Sequence, residues 1–345
     1  MKKMLALLLA LVMVLSLAAC ASSQPAAAST ETAETTETTE PVAEESAEAP
    51  AESGKTYTVG VCQLVQHEAL DAATQGFVDA LTEELGDAVT VDVQNASGDS
   101  VNCGTIVNGF VSKGVDLIMA NATPALTAAV SATADIPILG TSITAYGVAL
   151  DIDDFNGTVG GNVSGTSDLA DLQAQAQMIL DWFPETKTVG LLFCSAEPNS
   201  RYQIDEVRKA LEAQGVTCEE FAFTDSNDVS SVTQKAADFS DVVYIPTDNT
   251  AASNTEAIAN VLIPAGVPAI CGEEGLCRGC GVATLSISYY DLGVTTGKMA
   301  AKILKGEADI STMPVEYTDA TPKYNASVCE QLGITPLDGY EAIDG

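Results

Sequence analysis

A chain of 345 residues with 48 Asp and Glu against 14 Lys and Arg carries a formal charge of −34. With no basic stripe to neutralise phosphates, nucleic acid is excluded as a partner, and the background field disfavours an anionic cargo. A single His, no Gly-x-Ser-x-Gly turn and no Gly-rich loop leading into a Lys speak against hydrolase or phosphoryl-transfer chemistry, so no enzyme is expected.

The chain opens with Lys2 and Lys3, an apolar run over residues 5–17, and Leu17-Ala18-Ala19-Cys20. The run is too short for an ordinary membrane span and reads as a signal segment, residues 1–19. Its end resembles a bacterial lipobox, which implies cleavage before Cys20 and acylation of that residue as a membrane anchor. Residues 20–54 hold Ala, Ser, Thr, Glu and Pro without an aromatic side chain, and their Glu residues (31, 34, 37, 40, 44, 45, 48 and 52) meet no Lys or Arg. Such a segment buries too little apolar surface to offset its conformational entropy and repels itself, so it reads as a disordered acidic tether.

From residue 57 the pattern changes. Apolar runs at 57–65, 89–93, 115–120 and 136–140 predict strands, with helices at 69–85, 101–112 and 124–132 between them. The rhythm restarts near Lys187: strands at 188–194, 216–223, 242–246 and 268–271, helices at 200–214, 229–239 and 254–263. A strand at 281–286, a helix at 291–304 and a last crossing at 314–318 follow. Strands that are apolar without alternation, each followed by a helix, predict parallel sheets covered on both faces. The fold class expected is α/β, two doubly wound parallel-sheet lobes joined by a multi-strand hinge. The lobes are drawn as 55–143 plus 284–313 and 144–283 plus 314–345. In open parallel sheets ligands sit beyond the carboxyl ends of the strands, so two facing lobes predict a cleft site between them.

The run Gln63-Leu64-Val65-Gln66-His67-Glu68-Ala69-Leu70-Asp71, followed by Gly76-Phe77-Val78-Asp79-Ala80-Leu81, is specific. So are Ala122-Thr123-Pro124-Ala125, Gly161-Asn162-Val163-Ser164-Gly165-Thr166-Ser167-Asp168, Asp248-Asn249-Thr250-Ala251-Ala252-Ser253, and Tyr290-Asp291-Leu292-Gly293 with Gly297-Lys298. In this order they resemble the substrate-binding lipoproteins of ABC transporters of the tryptophan/tyrosine type, over nearly all of residues 55–334. The resemblance implies a type I periplasmic-binding-protein fold, capture of a small amino acid, aromatic in characterised relatives, and docking on an ABC permease. The chain departs from the family pattern at Thr144-Ala145-Tyr146, where the family has Thr-Asp-Pro. It departs again at Glu273-Glu274, where relatives carry small or hydroxyl residues, and at Ser288, where an Asp is common.

A zwitterion needs donors for its carboxylate and acceptors for its ammonium. Thr123, before a Pro at a helix start, and Asn199-Ser200, in the equivalent place of the second half, are expected near the carboxylate, with helix capping as the plain alternative. Ser142 follows the fourth strand and is a further candidate. Asp248 and Asn249 follow a strand end, and Asp248 is expected to receive the ammonium, with capping of the next helix as the alternative and Ser167 and Asp168 offering a second acceptor. Gln66 and His67 lie in the first strand-to-helix loop. Glu273, with Glu274, could meet a second cationic group. Tyr146 and Tyr289 are candidates for stacking a ring, beside Tyr202 and Tyr290. Cys271, Cys277 and Cys280 leave free thiols, a disulfide or a metal site open, although no metal ligand set and no cofactor is expected. The reading is a monomeric, lipid-anchored binding protein that closes on its cargo. A receptor ectodomain, or a binding protein for a sugar or nucleoside, is the alternative.

Overall fold

The computed structural model describes residues 55–343; the expected signal segment, Cys20 and the tether lie outside them. Among the described residues two sheets form, each built from the strand–helix alternation. The first half runs β1 (Tyr57–Gln63), α1 (Glu68–Leu85), β2 (Val89–Asn95), α2 (Ser100–Lys113), β3 (Leu117–Asn121), α3 (Thr123–Ala132), β4 (Ile138–Ile143), α4 (Tyr146–Ala149) and β5 (Val163–Ser167). The second runs α5 (Leu172–Trp182), β6 (Thr188–Cys194), α6 (Pro198–Glu212), β7 (Thr217–Phe223), α7 (Val229–Phe239), β8 (Val242–Ile245), α8 (Asn249–Ala252), α9 (Thr255–Ala265), β9 (Ala269–Cys271), α10 (Glu274–Cys280) and β10 (Ala283–Ser286). The chain ends with α11 (Tyr289–Leu304), β11 (Glu316–Tyr317), β12 (Thr321–Tyr324), α12 (Ala326–Leu332) and β13 (Glu341–Ala342).

The six-stranded sheet has the order β11-β5-β4-β3-β1-β2 and the seven-stranded one β13-β12-β10-β9-β8-β6-β7. The first is parallel throughout; in the second only β10 and β12 run antiparallel. The orders 2-1-3-4-5 and 7-6-8-9-10 are the same topology used twice, which is why the sequence rhythm restarts. Neighbouring residues of one strand feed different cores: Cys62 packs with Phe110 and Leu126, whereas Val61 packs with Phe77 and Met299. In the second sheet Phe193 and Leu192 divide in the same way. Strands buried on both faces have no polar side to show, hence their continuous apolar sequence.

The sheets divide the chain differently from the lobe boundaries expected from sequence. Val163–Ser167 and Glu316–Tyr317 join the first sheet, whereas Ala283–Ser286 joins the second. The chain therefore crosses between lobes after β5, after β10 and after β11. Helix α11 follows a strand of lobe two yet packs on α1 of lobe one. Its glycines make that possible: a Cβ on Gly293 would lie 2.0 Å from the carbonyl oxygen of Ala73, and one on Gly76 would lie 2.1 Å from that of Tyr290.

All eight cysteines of the described residues are unpaired thiols, and among these residues no cluster of three or more His, Cys, Asp or Glu is placed to hold a metal ion. Among the described residues no helix is long and apolar enough to cross a membrane.

Candidate functional site

A small cavity closes between the lobes where the strands end. Lobe one contributes His67 and Leu70 after β1, Ser142 and Thr144 at the end of β4, and Asp168 after β5. Lobe two contributes Asn199 from α6, Thr247, Asp248, Asn249 and Ala252 after β8, and Glu273 after β9, while Tyr289 enters from the start of α11. Nearly every one lies just past the carboxyl end of a parallel strand, where backbone groups leave the ladder and side chains turn into the cleft.

The local chain explains how these groups are held. Gln63 ends β1 and locks α1 in place: its Nε2 donates to Asp71 Oδ1 (2.6 Å) and its Oε1 accepts from Thr74 Oγ1 (2.6 Å). That fixes the loop carrying His67. In β4 the pairing register with β5 shifts between Gly140 and Ile143, and Ser142 takes a left-handed backbone with φ 55°. A bulge of this kind re-aims one side chain, and the strained residue sits at the cavity wall.

Three buried polar atoms that line the cavity have no protein partner: Ser142 Oγ, Asp168 Oδ1 and Asn199 Oδ1. Unpaired buried groups are costly, so three on one cavity is a strong local signal. Asp168 Oδ2 accepts from the Tyr289 hydroxyl at 2.8 Å. Burial pushes the Asp168 carboxyl above its ordinary range, against the opposing bond from Tyr289. Asn199 is held by donation from its Nδ2 to Thr247 O (3.2 Å) and Glu197 Oε2 (3.3 Å), while its oxygen has no partner.

Asp248 is differently placed. Its Oδ2 accepts from Cys194 N (2.6 Å) and Ser200 Oγ (2.8 Å), and its Oδ1 from Ala251 N (2.8 Å). These bonds tie β6, α6 and α8 together, with Asp248 capping α8 while it lines the cavity. Burial, then the neighbouring Glu197, lifts its pKa to about 8. Glu273 caps α10, accepting from Gly275 N (2.6 Å) and Leu276 N (2.5 Å), and burial lifts it to about 7. His67, whose pKa is lowered chiefly by burial, lies with Nε2 3.2 Å from Asn249 Oδ1, across the lobe boundary. Asn249 Nδ2 donates to Glu197 at 2.7 Å, so its oxygen faces His67, which is the donor of that pair.

Of the residues singled out from sequence, His67, Ser142, Asp168, Asn199, Asp248, Asn249, Glu273 and Tyr289 meet at the cavity. Five others do not. Gln66 lies in an outer groove beside Glu68 and Arg278, and Thr123 in another beside Ala196 and Pro198. Tyr146 is buried packing: its hydroxyl donates to Gly140 O (3.1 Å) and Thr166 O (3.2 Å), and its ring stacks on Phe155. Ser167 Oγ donates to Thr144 O at 3.0 Å, and Ser200 serves Asp248.

Sequence reasoning missed Thr144, Thr247 and the buried Glu197, which accepts from Asn249 N, Asn249 Nδ2, Thr250 N and Thr250 Oγ1. A Glu directly before Pro198 at a helix start was the available signal for the last.

The family model described as ABC transporter substrate binding protein matches residues 58–339. The tyrosine-binding protein of Clostridioides difficile (strain R20291) is 32% identical over 276 residues, 78% of this chain and 79% of that protein. Among solved structures, an ABC domain from Streptococcus pneumonia in complex with L-Trp is 32% identical, with a TM-score of 0.79 over 84% of this chain and 100% of that one. A ligand-free, open substrate binding protein with adhesive properties from Clostridium difficile is 33% identical, with a TM-score of 0.64 over 84% and 99% of the two chains. At nearly equal identity and coverage, the arrangement of this chain is closer to the L-Trp complex than to the open form.

Proposed function

The chain belongs to the ABC transporter substrate-binding protein family, and from that premise we propose that it captures a small amino acid-like solute between its type I periplasmic-binding-protein lobes and delivers it to a membrane permease. The observation that carries this reading is the trio of unpartnered buried atoms on the cavity. Asp168 Oδ1 and Asn199 Oδ1 are acceptors suited to an ammonium, and Ser142 Oγ is a donor suited to a carboxylate. Donors and acceptors come from both lobes, so a ligand that satisfies them favours closure; no covalent step is needed. The relatives named for tyrosine and solved with L-Trp make aromatic amino acids the first candidates. Substrate-binding proteins of importers work outside the cytoplasm. Anchoring through an acylated Cys20 and the acidic tether would keep the body near its permease.

Thermal melting with a panel of amino acids, sugars and nucleosides tests the reading. An amino acid in large excess over its Kd raises Tm by mass action, by about 2.7 kcal/mol of stabilisation at a hundredfold excess. A panel in which only sugars or nucleosides shift the transition overturns it.

A further inference from the structure

The charge balance of the cavity points beyond a neutral amino acid. Asp168, Asp248 and Glu273 line it and Glu197 stands directly behind, yet among the described residues no Lys or Arg lines it. The cations on the neighbouring α10 and β12 pair with other acids: Glu274 takes both Arg278 (2.8 Å) and Lys323 (2.5 Å), and Arg278 also meets Glu68 at 3.0 Å. Glu273, only 2% exposed, accepts backbone N–H groups and no cation. Asp168 adds an oxygen without a partner, and Asn199 another, both on residues only 4% exposed. Asp168 and Glu273 come from opposite lobes, and the charge of Asp168 adds to burial in making Glu273 harder to ionise, so closure gathers carboxyl groups that no Lys or Arg of the cavity lining faces. A zwitterion brings no net charge to this set. Buried carboxyls without a counter-ion ionise only at a cost, and a cation delivered between them offsets part of that cost.

We infer that the cargo carries net positive charge: an amino acid whose ammonium meets Asp168 and Asn199 and whose side-chain cation meets Glu273. The inference rests on the amino-acid reading above and narrows it. Isothermal titration of the protein with two near-isosteric pairs, L-lysine against L-norleucine and L-arginine against L-citrulline, reads it directly. The charged member of at least one pair binds at least about tenfold tighter, the size of one charge-assisted hydrogen bond. Glu273→Gln cuts that preference to within about threefold, whereas Glu273→Asp, which keeps the charge, retains most of it. If neither charged compound outbinds its neutral partner, or if L-tyrosine binds as tightly as both charged compounds, the inference falls and the amino-acid reading stands. If no amino acid binds and a sugar or nucleoside does, both fall. A full charge preference in Glu273→Gln overturns the role of Glu273. The wild-type ratios decide on cargo charge even if that variant fails to fold.

Discussion

Asp168 and Asp248 are both buried carboxylates on the same cavity, but their bonds assign them different work. Asp168 keeps one oxygen unpartnered and has the other on the Tyr289 hydroxyl. Asp168→Asn preserves shape and removes the charge that an ammonium would meet. Affinity for the cargo is expected to fall about 10- to 100-fold, read by titration calorimetry, with Tm nearly unchanged. Asp248, by contrast, gathers Cys194 N, Ser200 Oγ and Ala251 N. Asp248→Ala strands three buried donors, so the loss is expected in unfolding free energy, about 2–4 kcal/mol by denaturant titration. A variant that lost affinity with its stability intact would reverse this division of labour.

Elements, not single residues, decide how much of this was legible beforehand. The strands of both cores could be read because burial on two faces demands unbroken apolar sequence. Val163–Ser167 could not, since Val-Ser-Gly-Thr-Ser has no such run. Its buried hydroxyls are satisfied inside the protein instead: Thr166 Oγ1 meets Thr141 Oγ1 (3.1 Å) and Thr296 Oγ1 (2.9 Å). Missing that strand displaced the lobe boundary. Strand ends gave away His67, Asp168, Asn199 and Glu273, because chain order places them past parallel strands. Thr123 does not line the cavity: it is 4% exposed and borders a groove with Pro124, Ala196 and Pro198.

The α1–α11 pair was also opaque in sequence, although glycines permit it. Gly293→Ala would press a Cβ to 2.0 Å from Ala73 O, whereas Gly104 in α2 has nothing within 4 Å of its virtual Cβ. Gly293→Ala is expected to lower stability by about 2–3 kcal/mol through helix displacement. Gly104→Ala should raise it by about 0.5–1 kcal/mol by restricting the unfolded chain. Equal Tm values for the two variants would contradict the close approach of the helices.

At the scale of the whole molecule, the buried acids tie stability to pH and the lobe contacts tie closure to salt. Burial lifts Asp248 from 3.8 to about 8 and Glu273 from 4.5 to about 7, so the folded protein holds protons that the unfolded chain releases. The stabilisation linked to these groups is complete below their unfolded values and is lost as pH rises through about 7 and 8. The Tm of the ligand-free protein is therefore expected to decline from pH 6 to 9, and Glu273→Gln, which cannot ionise, should flatten the lower part of that slope. A Tm that rises over this interval would show that both carboxyls are ionised throughout.

Outside the cavity lining, Glu68 and Arg278 bridge the lobes at 3.0 Å with side chains 51% and 35% exposed. An ion pair so open to water contributes about 0.2–1 kcal/mol. Because it bridges the two lobes from outside the cavity lining, Glu68→Ala should weaken neutral ligands by a common factor, about two- to fivefold at low salt. The loss should sit in the dissociation rate and vanish near 1 M salt, where the screening length shrinks to about 3 Å. Stopped-flow dissociation at two ionic strengths checks this, and a change in the ranking of neutral ligands would move Glu68 from the lobe clasp into the binding site.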